Sequence, residues 1–223
     1  MQTPEAPFWQ TAMKDEFQSL LDNGMWELVD LPPSRTTVKN RWVYITKWDT
    51  KGDITRYKVR LVAKGFTQTA RLDYEETFAP IARLNSLRLL LAMATIFDWD
   101  VHHVNIKSAY LNGHLDEELY MDQPRGFETH EGGRKVCRLL KAIYGLKQAG
   151  RQWHEHLQCS LTDFGYKKLT SGDVSIFFKH HEGGDRITII LVYVDDMAIF
   201  GSLTDIRDMM KFIGSRYKFT DLG

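Results

Sequence analysis

Residues 187–201 read ITIILVYVDDMAIFG, in which two adjacent carboxylates, Asp195 and Asp196, separate two apolar segments. The β-branched and aromatic residues on both sides predict two strands joined by a tight turn. Two-residue hairpins favour Asn-Gly, Asp-Gly or Gly-X, whereas Asp-Asp supplies no glycine and places like charges side by side. One interpretation is a plain surface turn. The other is a hairpin that holds two carboxylates for Mg²⁺, which is often bound by carboxylates and substrate phosphates.

Basic residues are concentrated in two segments, although the formal net charge of the chain is zero. Residues 34–71 contain ten Lys/Arg and two Asp, and residues 134–151 contain six Lys/Arg and no acidic residue, which gives net charges of +8 and +6. Segregated positive charge is expected where a protein meets phosphates; the alternative is a solvated basic face. The sequence has no apolar segment of membrane-spanning length and no recognisable secretory leader, so we expect an intracellular protein, cytoplasmic or nuclear.

The cysteines and paired histidines give no metal-binding spacing. Cys137 and Cys159 are too few for a disulfide framework, and His102-His103 and His180-His181 have no partner at a zinc-like distance in the sequence. We therefore expect buried free thiols, and histidines that are solvated or packed in the core.

Hydrophobic periodicity predicts a mixed set of helices and strands. The predicted strands are 41–48, 54–63, 99–106, 174–178, 187–193 and 197–201. The predicted helices are 8–22, 84–97 and 204–217, and 138–165 contains further helical spacing that ends at Gly165. Residues 84–97 are apolar nearly all round, which predicts a buried helix. The fold class is α+β, with a mostly antiparallel sheet and helices on one side.

Several longer segments, in this order along the chain, resemble the reverse transcriptases of copia-type (Pseudoviridae) LTR retrotransposons. They are RYKVRLVAKGF (56–66), DYEETFAPIARLNSLRLLLA (73–92), AYLNGHLDEELYMDQPRGF (109–127), LLKAIYGLKQAGRQW (139–153) and the YxDD hairpin at 193–196. The resemblance extends from Trp9 to Gly223. It implies the fingers and palm of a right-hand polymerase, with fingers at about 1–80 and 113–152 and palm at about 81–112 and 153–223.

The resemblance implies RNA-directed DNA polymerase activity with two Mg²⁺ ions. The substrates would be an RNA or DNA template–primer and deoxynucleoside triphosphates. Two such ions stabilise the attacking 3′-oxygen and the leaving pyrophosphate. In the family the polypeptide continues through a thumb and a ribonuclease H, so we expect this chain to be a fragment, a decayed copy or part of a longer polyprotein.

One position departs from the family pattern. Where copia-type enzymes read DVKTAFLNG this chain reads NIKSAYLNG, so Asn105 replaces the aspartate that bridges both metals. Asparagine keeps a carbonyl oxygen but lacks the charge and the second anionic oxygen. Asp98 and Asp100 precede it by seven and five residues, about 16–23 Å along an extended strand. We therefore expect a degenerate enzyme; the alternatives are a catalytically silent nucleic-acid-binding remnant and an inert relic.

The resemblance also implies a set of substrate contacts. Tyr110 would be the steric gate against a ribose 2′-OH, and the amides of Ser108 and Ala109 would meet the triphosphate. Gln148 would contact the incoming nucleotide, and the Ile106 carbonyl would face a metal. Tyr193 of the YxDD hairpin would also bind the substrate.

Two basic residues of the 54–63 strand complete the expected site. Lys58 and Arg60 would hold the β- and γ-phosphates, and strand alternation places them on one face, with Val59, Leu61 and Ala63 opposite. Trp153 and Phe78 are expected in the core rather than at the substrate.

Overall fold

The computed structural model describes residues 4–129, 135–183 and 186–223. These residues form a mixed α+β protein with four α-helices, as the fold-class prediction requires. The chain divides into two compact units: unit 1 comprises the residues up to Thr77 with Tyr110–Gln152, and unit 2 comprises Phe78–Ala109 with Trp153–Gly223. Arg134, which was counted in the second basic segment, lies outside the described residues.

The elements are as follows in chain order. The helices are α1 (Ala6–Asp22), α2 (Leu84–Phe97), α3 (Ala149–Asp163) and α4 (Leu203–Arg216). The strands are β1 (Trp26–Asp30), β2 (Thr37–Val38), β3 (Asn40–Trp48), β4 (Ile54–Ala63), β5 (Asp100–Ile106), β6 (His114–Met121), β7 (Lys135–Lys141), β8 (Lys167–Lys168), β9 (Ile176–His180), β10 (Ile187–Tyr193), β11 (Asp196–Gly201) and β12 (Phe219–Asp221). Short 3₁₀ turns span Gly65–Thr67 and Ala109–Asn112.

Unit 1 contains a four-stranded sheet of order β1-β7-β6-β2 and the separate hairpin β3-β4. All pairs are antiparallel except β2 with β6. Helix α1 packs on β4. The core consists of side chains that are almost fully buried, among them Leu20, Met25, Leu61, Leu119, Met121, Cys137 and Ile143.

Unit 2 is built on a six-stranded antiparallel sheet of order β12-β5-β11-β10-β9-β8. On one face, Leu90 and Ala94 of α2 pack against Ile189, Leu191 and Phe200. Successive strand residues point to opposite faces. Ile190, Val192, Met197 and Ile199 are therefore buried on the other face. The strands that flank Asp195 and Asp196 thus contribute to two packed layers, which fixes their register.

Two packing predictions were wrong. Helix α2 has the predicted bounds, but only the stripe containing Leu90 and Ala94 is buried, whereas Leu89 and Ile96 are 61% and 75% exposed. Phe78 is 69% exposed rather than in the core. An apolar composition identifies the helix but does not tell how many of its sides are covered.

One predicted helical segment contains a shorter helix than its length suggested, because a strand occupies its beginning. The helical spacing inside 138–165 corresponds to α3 only from Ala149 onward, since residues 135–141 form β7 between β1 and β6. Gly165, with φ of +90°, follows the end of α3 as predicted.

The two thiols differ. Cys137 is buried, and burial raises the pKa of its thiol to about 12, whereas Cys159 is exposed, contrary to expectation. None of the helices in the described ranges is long and apolar enough to cross a membrane.

Candidate functional site

The turn that presents the paired aspartates is strained and anchored. Tyr193 pairs with Asp196, so Val194 and Asp195 form the two-residue connection between β10 and β11. Val194 has φ of +57°, a backbone conformation that costs a β-branched residue about 1–3 kcal/mol. The indole N–H of Trp153, whose ring is fully buried, donates a 2.6 Å hydrogen bond to the Val194 carbonyl. Trp153 therefore lies in the core, as expected, and also holds the turn in place.

Strand β5 brings position 105 directly beside the turn. Asn105 is the register partner of Asp196, and its side-chain amide donates to Asp196 Oδ1 at 3.1 Å. The amide of Ile106, which is itself buried, donates to the Asp195 carbonyl at 2.7 Å. Four of the expected site residues therefore lie together at one end of the unit 2 sheet.

A histidine that sequence reasoning treated as solvated or core belongs to the same cluster. His103 lies two residues before Asn105 on the same face of β5, and its Nε2 is 2.9 Å from Asp196 Oδ1. Its neighbour His102 pairs instead with Asp221 at 2.6 Å. The alternation of the strand was a signal that could have found His103, because residues 103 and 105 must share a face.

A groove of about 390 Å³ opens on this face of unit 2. Its lining is mostly apolar and includes Leu84, Leu87, Val101, Leu191 and Ala198. Tyr193, His103 and Asp196 also line it, and Tyr193 is 53% exposed. The expected substrate-binding tyrosine and the carboxylate therefore share an accessible cleft.

The loop after β5 carries the next expected contacts. Ser108 has φ of +53°, which turns the chain sharply into the 3₁₀ turn that begins at Ala109. Ala109 is only 3% exposed. In unit 1, Tyr110 is half-buried and meets the ring of Tyr144 edge-on at 5.3 Å between centroids.

Strand β4 of unit 1 carries Lys58 and Arg60, the two residues expected to bind phosphates. Val59, Leu61 and Ala63 are buried, and Lys58 and Arg60 alternate with them and are partly exposed, as predicted. Arg60 lies over the Tyr144 ring at 4.5 Å. Burial, and then the charges of Arg60 and Arg56, lower the pKa of Lys58 from its usual range.

Cross-strand pairing adds to this positive charge. Lys47 of β3 lies directly opposite Arg56, a like-charge pair that destabilises a sheet unless an anion joins it. Glu16 of α1 lies close enough to Lys58 and Arg60 to interact electrostatically, and its carboxylate also accepts from the Leu61 amide at 3.4 Å. Burial raises the pKa of Glu16 from its usual range. We refer to Lys47, Arg56, Lys58 and Arg60 as the β3–β4 basic face.

Gln148 is buried among the loops of unit 1. Its side chain is fully buried; Nε2 donates to the Asp73 carbonyl at 2.8 Å, and Oε1 accepts from Gln68 Nε2 at 3.0 Å. The amide therefore ties together two loops of unit 1. Gly65 and Gly145 make this possible, because a Cβ on Gly65 would lie 2.1 Å from the Gly145 carbonyl oxygen.

The second basic segment is less positive than its composition suggested. Lys135 pairs with Asp30 at 2.7 Å, and Arg138 pairs with Glu27 at 2.8 Å, both across the β1–β7 pair. The charge excess of +6 is thus partly neutralised by carboxylates from a distant part of the sequence.

The donor set of unit 2 only partly suits a metal pair. Asp195 and Asp196 offer carboxylate oxygens, but position 105 offers an amide that donates to Asp196 instead of a bridging carboxylate. Within the part of the chain that the structure describes, no three or more His, Cys, Asp or Glu side chains are grouped to hold a metal ion. The residues present therefore do not fit two Mg²⁺ ions bridged at position 105.

The carboxylates at one end of the unit 2 sheet, the YxDD turn and the ordered motifs are typical of a polymerase-like class of protein. The family described as "Reverse transcriptase (RNA-dependent DNA polymerase)" matches residues 23–223, and the chain belongs to this family.

Curated relatives refine the assignment. The chain is 41% identical over 198 residues to the "Retrovirus-related Pol polyprotein from transposon TNT 1-94" of Nicotiana tabacum, covering 89% of this chain and 15% of the relative. It is 40% identical over 195 residues to the corresponding polyprotein from transposon RE1 of Arabidopsis thaliana, covering 87% of this chain and 13% of the relative. The copia-type resemblance is therefore confirmed: this is a reverse transcriptase domain of a copia-like transposon Pol polyprotein, and it spans about one seventh of such relatives.

Proposed function

We propose that this domain is a copia-type polymerase whose two-metal centre is impaired by Asn105, and that it retains binding of nucleic acid. The observation that carries the proposal is the contact between Asn105 and Asp196. At the position where a bridging carboxylate would lie, the side chain donates a hydrogen bond and carries no charge. Bound Mg²⁺ ions supply charge stabilisation to the attacking and leaving oxygens of phosphoryl transfer.

In this proposal unit 1 is the fingers and unit 2 is the palm. The expected boundaries after residues 80, 112 and 152 lie within three residues of the unit boundaries after 77, 109 and 152, which supports the assignment. Unit 2 would present Asp195 and Asp196 from the strained turn, with Trp153 and Ile106 positioning the backbone. Tyr193 would line the cleft beside them, and the Ile106 carbonyl stays a proposed metal contact.

The β3–β4 basic face is the proposed contact for the triphosphate or the template. Three features support this: four cations share one face, Lys47 lies opposite Arg56, and burial together with the charges of Arg60 and Arg56 lowers the pKa of Lys58. An anion on this face would relieve the repulsion. Tyr110 stays the proposed steric gate, and the Ser108 and Ala109 amides stay proposed triphosphate donors. Gln148 stays a proposed nucleotide contact, and its buried amide also positions the loop that carries Tyr144.

The partners in this proposal are an RNA or DNA template–primer and deoxynucleoside triphosphates. The curated relatives are polyproteins, so the domain is further proposed to act within a longer polyprotein. If Asn105 abolishes synthesis completely, the domain is a catalytically silent remnant that still binds nucleic acid.

Binding can be tested separately from synthesis. A labelled RNA–DNA primer–template is titrated with the chain, and anisotropy is followed as salt rises. Counterion release predicts a log–log slope of about −0.7 to −0.9 for each phosphate contacted. Lys58→Ala should weaken binding and reduce the slope. Lys211→Ala is the matched control, because it removes the same charge from an exposed position of α4; it should leave binding and its salt slope unchanged. Binding that ignores salt, or that falls equally in both variants, would count against the proposal.

A further inference from the structure

Helix α2 exposes apolar side chains on the side that does not pack on the sheet. Its large apolar residues that are 44–75% exposed are Leu84, Leu89, Leu91, Ile96 and Phe97. Arg88 is the single charged residue among the fourteen residues of the helix. A helix that is apolar nearly all round is normally covered nearly all round. The outer face of α2 is therefore a candidate interaction surface.

We propose that two copies of this chain pair through the outer face of α2, with the two helices antiparallel. The contact residues are Asn85, Leu89, Ala92 and Ile96, all of them exposed, and we call them the α2 seam. They follow one another at intervals of four, three and four residues, which is the a/d pattern of helices that pair side by side. The inference goes beyond the proposed function, because the α2 seam belongs neither to the aspartate turn nor to the β3–β4 basic face.

The α2 seam lies on the opposite side of the helix from the core contact. Leu90 and Ala94 pack against the sheet of unit 2. At 3.6 residues per turn, the seam points roughly 150° away from these two residues. The sheet and a second helix can therefore cover opposite sides of α2 at the same time, and pairing does not disturb the core.

The α2 seam is complementary to an antiparallel copy of itself. A two-fold axis midway between residues 90 and 91 sets Leu89 of one copy opposite Ala92 of the other, and Asn85 opposite Ile96. At the centre a large side chain thus faces a small one, which is how facing helices interdigitate. The N-terminal end of each helix also lies beside the C-terminal end of the other, so the helix dipoles attract. A two-fold dimer needs a self-complementary patch of this kind.

The chemistry of the face favours a second copy over other partners. A nucleic acid or an anionic membrane surface is held by several cations, whereas α2 carries Arg88 alone. An apolar partner helix matches the face in polarity, and the chain itself supplies one with the required spacing. The α2 seam therefore selects a second copy of this chain.

The length of the helix sets the expected affinity. Fourteen residues span about 21 Å, and one pair of such helices buries less than the roughly 1,200 Å² of a stable interface. We therefore expect a weak dimer, monomeric at about 1 µM and mostly dimeric above about 100 µM. Sedimentation velocity of the 223-residue chain over this range, in EDTA and without nucleic acid, measures the dissociation constant. A chain that stays monomeric at every concentration would overturn the proposal.

Substitutions on the exposed face test the contact without disturbing the fold. Leu89→Gln and Ile96→Gln should each weaken dimerisation by at least about tenfold, because a two-fold dimer carries each change twice. Leu21→Gln is the matched control, since Leu21 is 44% exposed on α1 in unit 1; it should leave the dissociation constant unchanged. Circular dichroism checks that each variant is folded. Dimerisation that survives both α2 variants, or that falls equally in Leu21→Gln, would contradict the assignment.

Mixed disulfides test the antiparallel register. The exposed Cys159 is first replaced in a Cys159→Ser background, and the buried Cys137 is kept. Leu89→Cys and Ala92→Cys chains are then oxidised alone and as a mixture. The register predicts that the mixed disulfide between the two variants forms faster than a disulfide within either variant alone. Equal rates, or faster cross-linking of Leu89→Cys with itself, would overturn the antiparallel pairing.

Discussion

Replacing Asn105 with aspartate should destabilise the metal-free protein by an amount that can be worked from one contact. The substitution removes a hydrogen bond to a charged acceptor, which contributes about 1.5–3 kcal/mol. It also places a second negative charge about 3 Å from Asp196, in place of a donor at 3.1 Å. Two unit charges at that distance repel by about 1 kcal/mol in water and about 5 kcal/mol at an effective dielectric constant of 20.

Solvent reduces the repulsion, because the Asp196 side chain is 39% exposed. We therefore expect Asn105→Asp to lower the free energy of unfolding by about 2–4 kcal/mol in EDTA. A divalent cation between the carboxylates should reverse much of that loss, since ligand binding to the folded state stabilises it by mass action. The negative charge that destabilises the metal-free Asn105→Asp variant is thus the same charge that a bridging metal ligand needs.

Equilibrium urea unfolding, in EDTA and in saturating Mg²⁺, measures both quantities. Asn105→Ala is the control, because it removes the hydrogen bond without adding charge; it should lose less stability and respond little to Mg²⁺. The reasoning is refuted if the aspartate variant is as stable as the alanine variant in EDTA. It is equally refuted if Mg²⁺ leaves the stability of the aspartate variant unchanged.

Two further substitutions test other parts of the structure. Trp153→Phe should cost about 1–3 kcal/mol, because the Val194 carbonyl loses its buried donor; unchanged urea unfolding would contradict the anchoring role. Burial, and then the charge of Lys168, lower the pKa of His154 to about 4, below its unfolded value of about 6.5. The unfolded state therefore binds more protons between about pH 6.5 and pH 4, and the free energy of unfolding should fall by about 3 kcal/mol as the pH drops through this range. His154→Gln should flatten the pH dependence of the free energy of unfolding. An unchanged pH dependence in this variant would contradict the assignment to His154.

Local signals in the sequence were sufficient for much of the fold. The apolar segments on both sides of the Asp-Asp pair gave β10 and β11 to within one residue, and the loop DTKGD gave the β3–β4 hairpin. The bounds of α2 followed from its composition. In each case the deciding pattern lies within about twenty consecutive residues, where turn chemistry and periodicity act.

Strands and ion pairs whose partners lie far away in the sequence could not be predicted from local patterns. Residues 138–148 have apolar positions compatible with a helix, and only pairing with β1 and β6 makes 135–141 a strand. The charges of Lys135 and Arg138 are matched by Asp30 and Glu27, which lie more than a hundred residues earlier.

The same distinction between local and distant causes applies to the site residues. Strand alternation correctly predicted the orientation of Lys58 and Arg60, and Asn105 lies beside Asp196 as the fold prediction expects. Burial of Gln148 arises from the crossing of two loops, which the local sequence does not report.

The central claim is that Asn105 disables Mg²⁺-dependent synthesis in this domain, and primer extension tests it most directly. The assay compares the chain with its Asn105→Asp variant, each alone and each continued with the downstream polyprotein segment of the tobacco relative. The account predicts no useful extension with Asn105 and synthesis in the extended Asn105→Asp protein, which Asp195→Asn should abolish again. Losing one preorganised electrostatic contact costs about 10²–10³ in rate, and losing a ligand shared by two ions should cost more. Robust Mg²⁺-dependent cDNA synthesis with Asn105 in place would contradict the account.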